Sequence, residues 1–427
     1  MTMLAFVLIF FGCIAIGMPL LFALAVPSMV YLLLTHSAPL VVIAQQMYTA
    51  SDSFPLLAIP FFLLAGELMS RAQITDRIAD FSNRAVGWIR GGLGQANVLA
   101  SMILAGISGS AVADSVAIGK VMIPSMEREG FDRADAAALT AAASIMGPII
   151  PPSIAIVIFG AALNLPIGTL FAAGVAPGVL IGLGLMAVVY LKSRNNSRIK
   201  HYPFSISLLG RATIQALVPL SLPVVLVGGI LGGLFTPTEA GAVASLYAAL
   251  IGVLVFRSLT MRDIWESCIS AGMGTCVVML IVIASNPFAW VLSVNQVPQE
   301  MAAFFSGTTT SPLLFLLFMN IALLIAGMFM ETTANILILG PIFYPAAVSL
   351  GIDPIQFSIV FIVCLVIGLI TPPVGLCLFS TASVAEIPIG RLIARIVPYL
   401  AVQLGVLALI TLFPSISLFV PKLIGMI

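Results

Sequence analysis

The chain has 427 residues, of which 61% are hydrophobic and 8% are charged, and its formal net charge is +1. Soluble proteins carry about 25% charged residues, so this composition excludes a separate soluble domain and indicates a polytopic membrane protein. A net charge this close to zero gives no indication of nucleic acid as a partner.

Apolar segments of membrane-crossing length recur along the whole chain. The first lies at the N-terminus and lacks the basic region and cleavage site of a signal peptide, so we expect it to remain in the protein. Amphipathic segments at 74–90 and 295–307 are expected to lie on the membrane surface as helices or to act as plain connectors. Ten crossings are predicted, at 2–16, 19–34, 53–70, 134–162, 168–191, 215–235, 238–256, 270–292, 355–385 and 391–413.

Glycine and proline residues recur at a constant shift of 221 positions. Gly119 matches Gly340, Gly147 matches Gly368, and Pro152 matches Pro373 at this single shift. Coincidence of both residue types over about 55 residues indicates an internal repeat. We predict two repeats, at residues 1–211 and 212–427.

Lysine and arginine residues indicate the cytoplasmic connectors, because they concentrate on that side of a membrane. Both ends of segment 91–129 are therefore cytoplasmic, which predicts a re-entrant hairpin, and the matching segment 312–349 enters from the opposite face. Because each half has an odd number of crossings, five, the second repeat is inverted relative to the first. The total of ten crossings then places both termini on the same side, the periplasm. The basic residues cluster at 71–90, 128–133, 192–211, 257–262 and 391–395 and are absent from 36–53, 164, 236–239, 294–311 and 350–354.

The motifs GPIIPPS at 147–153 and GLITPP at 368–373 predict breaks in the crossings 134–162 and 355–385. Proline lacks a backbone N–H and clashes with the preceding turn, so it frees carbonyl groups that must find a partner inside the membrane. Inverted repeats with broken helices are typical of secondary transporters.

The two hairpin tips are rich in oxygen-bearing side chains, and oxygen ligands favour Na⁺ or H⁺ over transition metals. We therefore expect each tip to form a cation site with one break, and Thr371 adds a hydroxyl group to the second. The tip residues are Ser108, Ser110 and Asp114 in the first hairpin, and Glu331, Thr332, Thr333 and Asn335 in the second.

The second arm of each hairpin begins at its tip, and a helix N-terminus favours an anionic group. An organic acid is therefore the expected substrate. We expect it to contact the tips and the breaks, at Ser110, Ala111, Pro151, Ser153, Thr332, Asn335 and Pro373.

Two charged residues allow more than one interpretation, and a third has one. Asp114 at membrane depth indicates a functional group, or it caps a helix. Lys120 faces the substrate, or its long stem reaches the cytoplasmic surface. Glu239 is expected to cap the helix that begins beside it.

Four motifs together resemble the large membrane subunit of tripartite ATP-independent periplasmic (TRAP) transporters, over essentially the whole chain. They are GSAVADSVAIGKVMIPSMEREGF, GPIIPPS, LFTPTEAGAVASLYA and GLITPPVG. The resemblance implies a DctM-like subunit of the bacterial inner membrane that imports an organic acid, such as a C4-dicarboxylate or sialic acid, with Na⁺. It implies an all-α, ion-transporter-superfamily-like fold in which a transport domain moves against a scaffold like an elevator.

The resemblance also implies two partners, a small four-helix Q-type membrane subunit and a periplasmic substrate-binding protein, which we expect as separate chains. Two or more Na⁺ ions and no organic cofactor are expected. The implied Na⁺ ligands are Ser108, Asp114 and the backbone of Gly147 and Ile150, with Ser110 beside them, and at the second site Met330, Glu331, Thr332, Thr333 and Thr371.

Alternatives that use the same membrane fold are a H⁺-coupled transporter and an anion channel. A channel would need a continuous polar pore, whereas the polar residues concentrate in two clusters. An enzyme is not predicted, because the two histidines, His36 and His201, lie in connectors expected on opposite sides of the membrane.

Overall fold

A computed structural model describes residues 2–72, 74–194, 205–308 and 311–427. Within these ranges every regular element is a helix, which confirms the all-α prediction. His201 and two basic residues of its connector, Arg198 and Lys200, lie outside the described residues.

The described residues of the first half of the chain form ten α-helices, with a short 3₁₀ helix at Phe54–Leu57 before α4. They are α1 (Thr2–Ala15), α2 (Leu20–Thr35), α3 (Val41–Ser51), α4 (Ala58–Arg71), α5 (Ile74–Val86), α6 (Gly92–Ser108), α7 (Ala111–Arg128), α8 (Arg133–Ser144), α9 (Ile154–Leu163) and α10 (Ile167–Ser193).

In the second half, the described residues also form ten α-helices, with a π-helical turn at Ile251–Val255 after α12. They are α11 (Ile206–Leu231), α12 (Pro237–Leu250), α13 (Met261–Val294), α14 (Val297–Thr308), α15 (Pro312–Phe329), α16 (Thr332–Ser349), α17 (Pro354–Gly368), α18 (Leu376–Val384), α19 (Ile389–Leu412) and α20 (Pro414–Leu423).

Each predicted crossing coincides with helix, and the two crossings expected to be broken are each divided in two. Eight helices in the described part of the chain are long and apolar enough to cross a membrane by themselves. Two of these, α15 and α16, form the second predicted hairpin, because length and composition do not distinguish a hairpin arm from a crossing. Helices at α5 and α14 confirm helical structure in the two amphipathic segments.

Capping residues set two helix starts. Thr236 and Glu239 form a capping box at α12, in which the Glu239 carboxylate accepts the Thr236 backbone N–H at 2.8 Å. The cap expected at Glu239 is thus confirmed. Thr260 and Asp263 form the same arrangement at α13, so α13 starts nine residues before the crossing predicted at 270–292.

The repeat relates helices as well as residue types. The shift of 221 places α7 on α16 residue for residue, and places the single long α13 on α3, the 3₁₀ helix and α4 together. Pro55 explains this difference, because a proline without an N–H interrupts a helix, and the equivalent position in α13 is Cys276. Helices α3 and α20 were not predicted as separate elements.

Helices α6–α10 and α15–α20 pack together into one group, here called the inner group. Within it, the hairpin of each half packs on the broken helix of the other half. Helix α7 packs on α18, where the Ser115 and Ser380 hydroxyls lie 2.6 Å apart. In the same way α16 packs on α9, beside Phe159. The remaining long helices, α1–α4 and α11–α13, form an outer group, and α5 and α14 contact both groups.

Ion pairs tie the ends of three inner-group helices together. The Asp135 carboxylate of α8 lies 2.6 Å from Lys192 Nζ of α10 and 3.6 Å from an Arg395 nitrogen of α19. Asp135 is the least exposed partner, with 19% of its side chain accessible. Both repeats therefore meet at this carboxylate.

Replacing Asp135 with asparagine is expected to destabilise the protein by about 1 kcal/mol, because two half-exposed cations lose their partner. The measurement is thermal unfolding in detergent at low salt. Asp80→Asn is the control, since Asp80 and Arg84 form an exposed pair within one helix, and its effect should be smaller. Equal effects of the two variants would contradict this account.

Candidate functional site

The first hairpin tip is a closed turn between α6 and α7. Gly109 has a φ of 63°, and a Cβ there would lie 3.0 Å from the Pro152 carbonyl oxygen. The Ser108 hydroxyl donates to Asp114 Oδ1 at 2.5 Å and accepts the Ser110 N–H at 3.3 Å. The tip thus reaches the proline break with no room for a side chain between them.

Asp114 is the one acidic residue of this tip. The residue is 2% exposed, and its Oδ2 atom is buried without a hydrogen-bond partner. A Cβ on Gly147 would lie 2.6 Å from that oxygen, so the carboxylate faces the break directly. Ser110 is the residue that caps α7, through its side chain and the Ala113 N–H. The capping alternative for Asp114 is therefore wrong.

The first break separates α8 from α9 between Ser144 and Ile154 and contains a cis peptide bond between Pro151 and Pro152. Neither proline has an N–H for the carbonyl four residues earlier. Ser153 compensates for the N–H group that Pro152 lacks, because the Ser153 hydroxyl donates to the Pro148 carbonyl at 2.6 Å.

Ser153 also accepts the Ile156 N–H at 3.2 Å and is fully buried. Its hydroxyl therefore holds the break together. The Ile150 side chain packs beside Gly178 of α10, which leaves the backbone of Ile150 in the break.

The second tip is built differently from the first. The Glu331 carboxylate caps α16 by accepting the Thr333 N–H and hydroxyl, each at 3.0 Å. The Asn335 amide donates to the Met330 carbonyl at 3.1 Å. Thr332 is buried, and its hydroxyl oxygen has no hydrogen-bond partner. Each tip therefore contains one buried oxygen without a partner.

The second break separates α17 from α18, between Gly368 and Leu376, and contains the matching cis bond between Pro372 and Pro373. The Gly375 N–H donates to the Met328 carbonyl at 3.2 Å, which joins the break to the end of α15. The Thr371 hydroxyl donates to the Ile367 carbonyl at 2.8 Å, and its oxygen lone pairs remain available.

A cavity of about 120 Å³ lies between the two tips. It brings together three of the expected substrate contacts, Ser110, Ala111 and Thr332, whereas Pro151, Ser153, Asn335 and Pro373 do not line it. The remaining lining residues include Leu63 of α4 and Val278 of α13, which the sequence analysis missed. Nothing in the sequence distinguishes these apolar side chains from those that face lipid.

A larger cavity of about 670 Å³ runs from the first tip along α7, between this helix and α4. Ser108, Ser110 and Asp114 line one end, and Asp76 at the start of α5 lines the other. Lys120 and Glu67 face the same space from opposite walls. The first tip is thus open toward the side of the protein where α4 ends and α5 begins.

The fold is similar to that in a crystal structure described as "the Alcanivorax borkumensis YdaH transporter", which "reveals an unusual topology". The two structures match with a TM-score of 0.67 over 87% of each chain, at 16% sequence identity.

The chain belongs to the family described as "Tripartite ATP-independent periplasmic transporter, DctM component", which it matches over residues 7–416. Similar relatives are the C4-dicarboxylate TRAP large permease DctM of Pseudomonas aeruginosa, 43% identical over 90% of both chains, and the sialic acid TRAP large permease SiaM of Vibrio cholerae, 39% identical over 96% of both. The 2,3-diketo-L-gulonate TRAP large permease YiaN of Escherichia coli is 37% identical over 96% of this chain and 97% of its own length. The resemblance found in the sequence is confirmed.

Proposed function

We propose that this protein is the Na⁺-driven membrane subunit that imports an organic acid across the bacterial inner membrane. The relatives named above are permeases for a C4-dicarboxylate, sialic acid and 2,3-diketo-L-gulonate. All three substrates carry at least one carboxylate, which supports an organic acid anion of the C4-dicarboxylate or sialic acid type as the substrate.

The observation that carries the proposal is the pair of buried oxygens without hydrogen-bond partners, Asp114 Oδ2 and Thr332 Oγ1. Leaving a buried polar group unsatisfied costs about 1–3 kcal/mol, and more for a charged group. A bound Na⁺ at each tip would supply the missing partner, and oxygen atoms are the ligands that hard cations prefer.

The proposed Na⁺ sites use this chain's own oxygen atoms. Ser108, Asp114 and the backbone of Gly147 and Ile150 would hold one ion. The other would lie among Met330, Thr332 and the Thr371 hydroxyl. Glu331 and Thr333 support the second site by fixing the start of α16, since the Glu331 carboxylate is already bound to Thr333.

The substrate carboxylate would bind in the cavity between the tips. Helices α7 and α16 both begin there, and their free N–H groups and positive dipole ends favour an anion. No lysine or arginine is among the residues that line this cavity. Two bound Na⁺ ions would therefore supply most of the positive charge beside the carboxylate, and substrate and Na⁺ would each raise the affinity for the other.

The packing supports an elevator-type movement of the inner group against the outer group. Helices α5 and α14, at equivalent places in the proposed inverted repeats 1–211 and 212–427, contact hairpin and outer helices on either side. The charge distribution makes the side near Arg71 cytoplasmic, so the larger cavity would be the release route in an inward-facing state. Both termini would then be periplasmic.

Two partners complete the proposed importer, a small Q-type membrane subunit and a periplasmic substrate-binding protein, as the word tripartite in the family description indicates. The binding protein would deliver the acid to the tips on the periplasmic side. The exposed apolar side chains of the outer helices, such as Ile214 and Val224 on α11, face lipid or the small subunit.

Uptake by the three components reconstituted in lipid vesicles tests the proposal. We expect saturable uptake of succinate or N-acetylneuraminate that requires an inward Na⁺ gradient, because binding of the anion depends on the cation charge beside it. Uptake driven by a proton gradient without Na⁺ would favour H⁺ coupling instead. Ion current in the absence of substrate and binding protein would indicate a channel.

A further inference from the structure

Lys120 lines the 670 Å³ cavity and lies six residues along α7 from Asp114. It is the one basic residue among those that line this cavity, and it lines no part of the cavity between the tips. Two carboxylates, Glu67 and Asp76, line the same cavity from α4 and α5. Within the described residues, neither carboxylate lies within 4.0 Å of the Lys120 ammonium group.

The direction of α7 brings this charge toward the tip. Side chains of an α-helix tilt toward its N-terminus, and the N-terminus of α7 is the tip itself. Lys120 lies nine residues after Ala111, the first residue of α7, which corresponds to about 14 Å along the helix axis, and the long lysine stem covers part of that distance. Lys120 therefore belongs to the route between the tips and the cytoplasm.

The Lys120 side chain is exposed in this cavity, so its positive charge is available to an anion that enters the cavity. The first carboxylate of the substrate has its own place at the starts of α7 and α16, where no basic side chain is needed. An acid with one anionic group therefore leaves Lys120 without a partner. An acid with a second anionic group, extending from the tips into the cavity, supplies one.

We propose that Lys120 binds the second anionic group of a dianionic acid and makes this transporter prefer dicarboxylates to monocarboxylates. The inference rests on the proposed function. Glu67, on the opposite wall, competes with the substrate for the ammonium group and allows the acid to leave. Lys120 is thus a determinant of specificity on the release side of the site.

Exchange in vesicles containing the membrane subunits tests the proposal, with acid loaded inside and the binding protein outside. The internal concentration that gives half-maximal exchange is measured for succinate and for its monomethyl ester, which has nearly the same shape and one charge less. Lys120→Gln is expected to raise this concentration roughly tenfold for succinate, the scale of one charge-assisted contact, and to leave the ester unchanged. Lys120→Arg should restore most of the succinate affinity.

Glu67→Gln is the matched control from the opposite wall. It removes the competing acid and is therefore expected to lower the succinate value. Equal effects of Lys120→Gln on both acids, or no effect on either, would overturn the proposal. Na⁺-driven transport of N-acetylneuraminate without any of succinate would also overturn it and leave the proposed function intact, whereas loss of Na⁺ dependence in the wild type would contradict the proposed function itself.

Discussion

Asp114→Asn is expected to raise the Na⁺ concentration for half-maximal uptake by roughly ten- to hundredfold, the scale of losing one buried charged ligand. Asparagine has nearly the same shape and can still accept the Ser108 hydroxyl through its amide oxygen. The tip should therefore keep its turn while the first Na⁺ site loses its charge. The measurement is initial uptake in vesicles as a function of external Na⁺.

Thr371→Ala tests the second proposed Na⁺ site in the same assay. Its effect should be smaller, because a neutral hydroxyl is lost, but the Na⁺ dependence of uptake should weaken in the same direction. Ser115→Ala is a suitable control, since Ser115 lies next to Asp114 but its hydroxyl bonds Ser380 and the Val112 carbonyl, which are not proposed Na⁺ ligands. Retention of wild-type Na⁺ dependence by both site variants would refute the two-site proposal.

Gly368→Ala is expected to destabilise the protein by about 1–3 kcal/mol, the usual cost of overpacking, and to abolish uptake. A Cβ at this position would lie 2.6 Å from the backbone of Gly327. Because the obstacle is backbone, α15 and α17 must separate, and the second tip moves away from the second break. Thermal unfolding in detergent and uptake in vesicles measure the two effects.

Gly340→Ala provides the control within the same hairpin. A Cβ there meets its nearest neighbour, Leu163, at an ordinary contact distance of 3.8 Å. Alanine also forms helix more readily than glycine, so the unfolding temperature should stay the same or rise. If the two variants had the same unfolding temperature and the same uptake, the close packing of α15 on α17 would have no role in the site.

Much of this protein could be predicted from sequence because the relevant physics is local. Apolar length predicts membrane helices, and the adjacent prolines at 151–152 and 372–373 predict breaks because neither residue of a pair has an N–H to donate. Single prolines such as Pro287 lie inside continuous helices. The two breaks and the turns at the two polar tips were accordingly placed within a few residues. The fold class and the family followed from the same motifs.

Which polar groups remain available was decided by the tertiary structure alone. The local caps at Ser110 and Glu331 do not use Asp114 Oδ2 or Thr332 Oγ1, and no neighbouring helix supplies a partner for either oxygen within the described residues. Leu63 and Val278 reach the cavity from distant helices. Whether a buried oxygen finds a hydrogen-bond partner, and which side chains line a cavity, depends on which segments pack together. Those segments can be hundreds of residues apart, and residue type alone does not specify their packing.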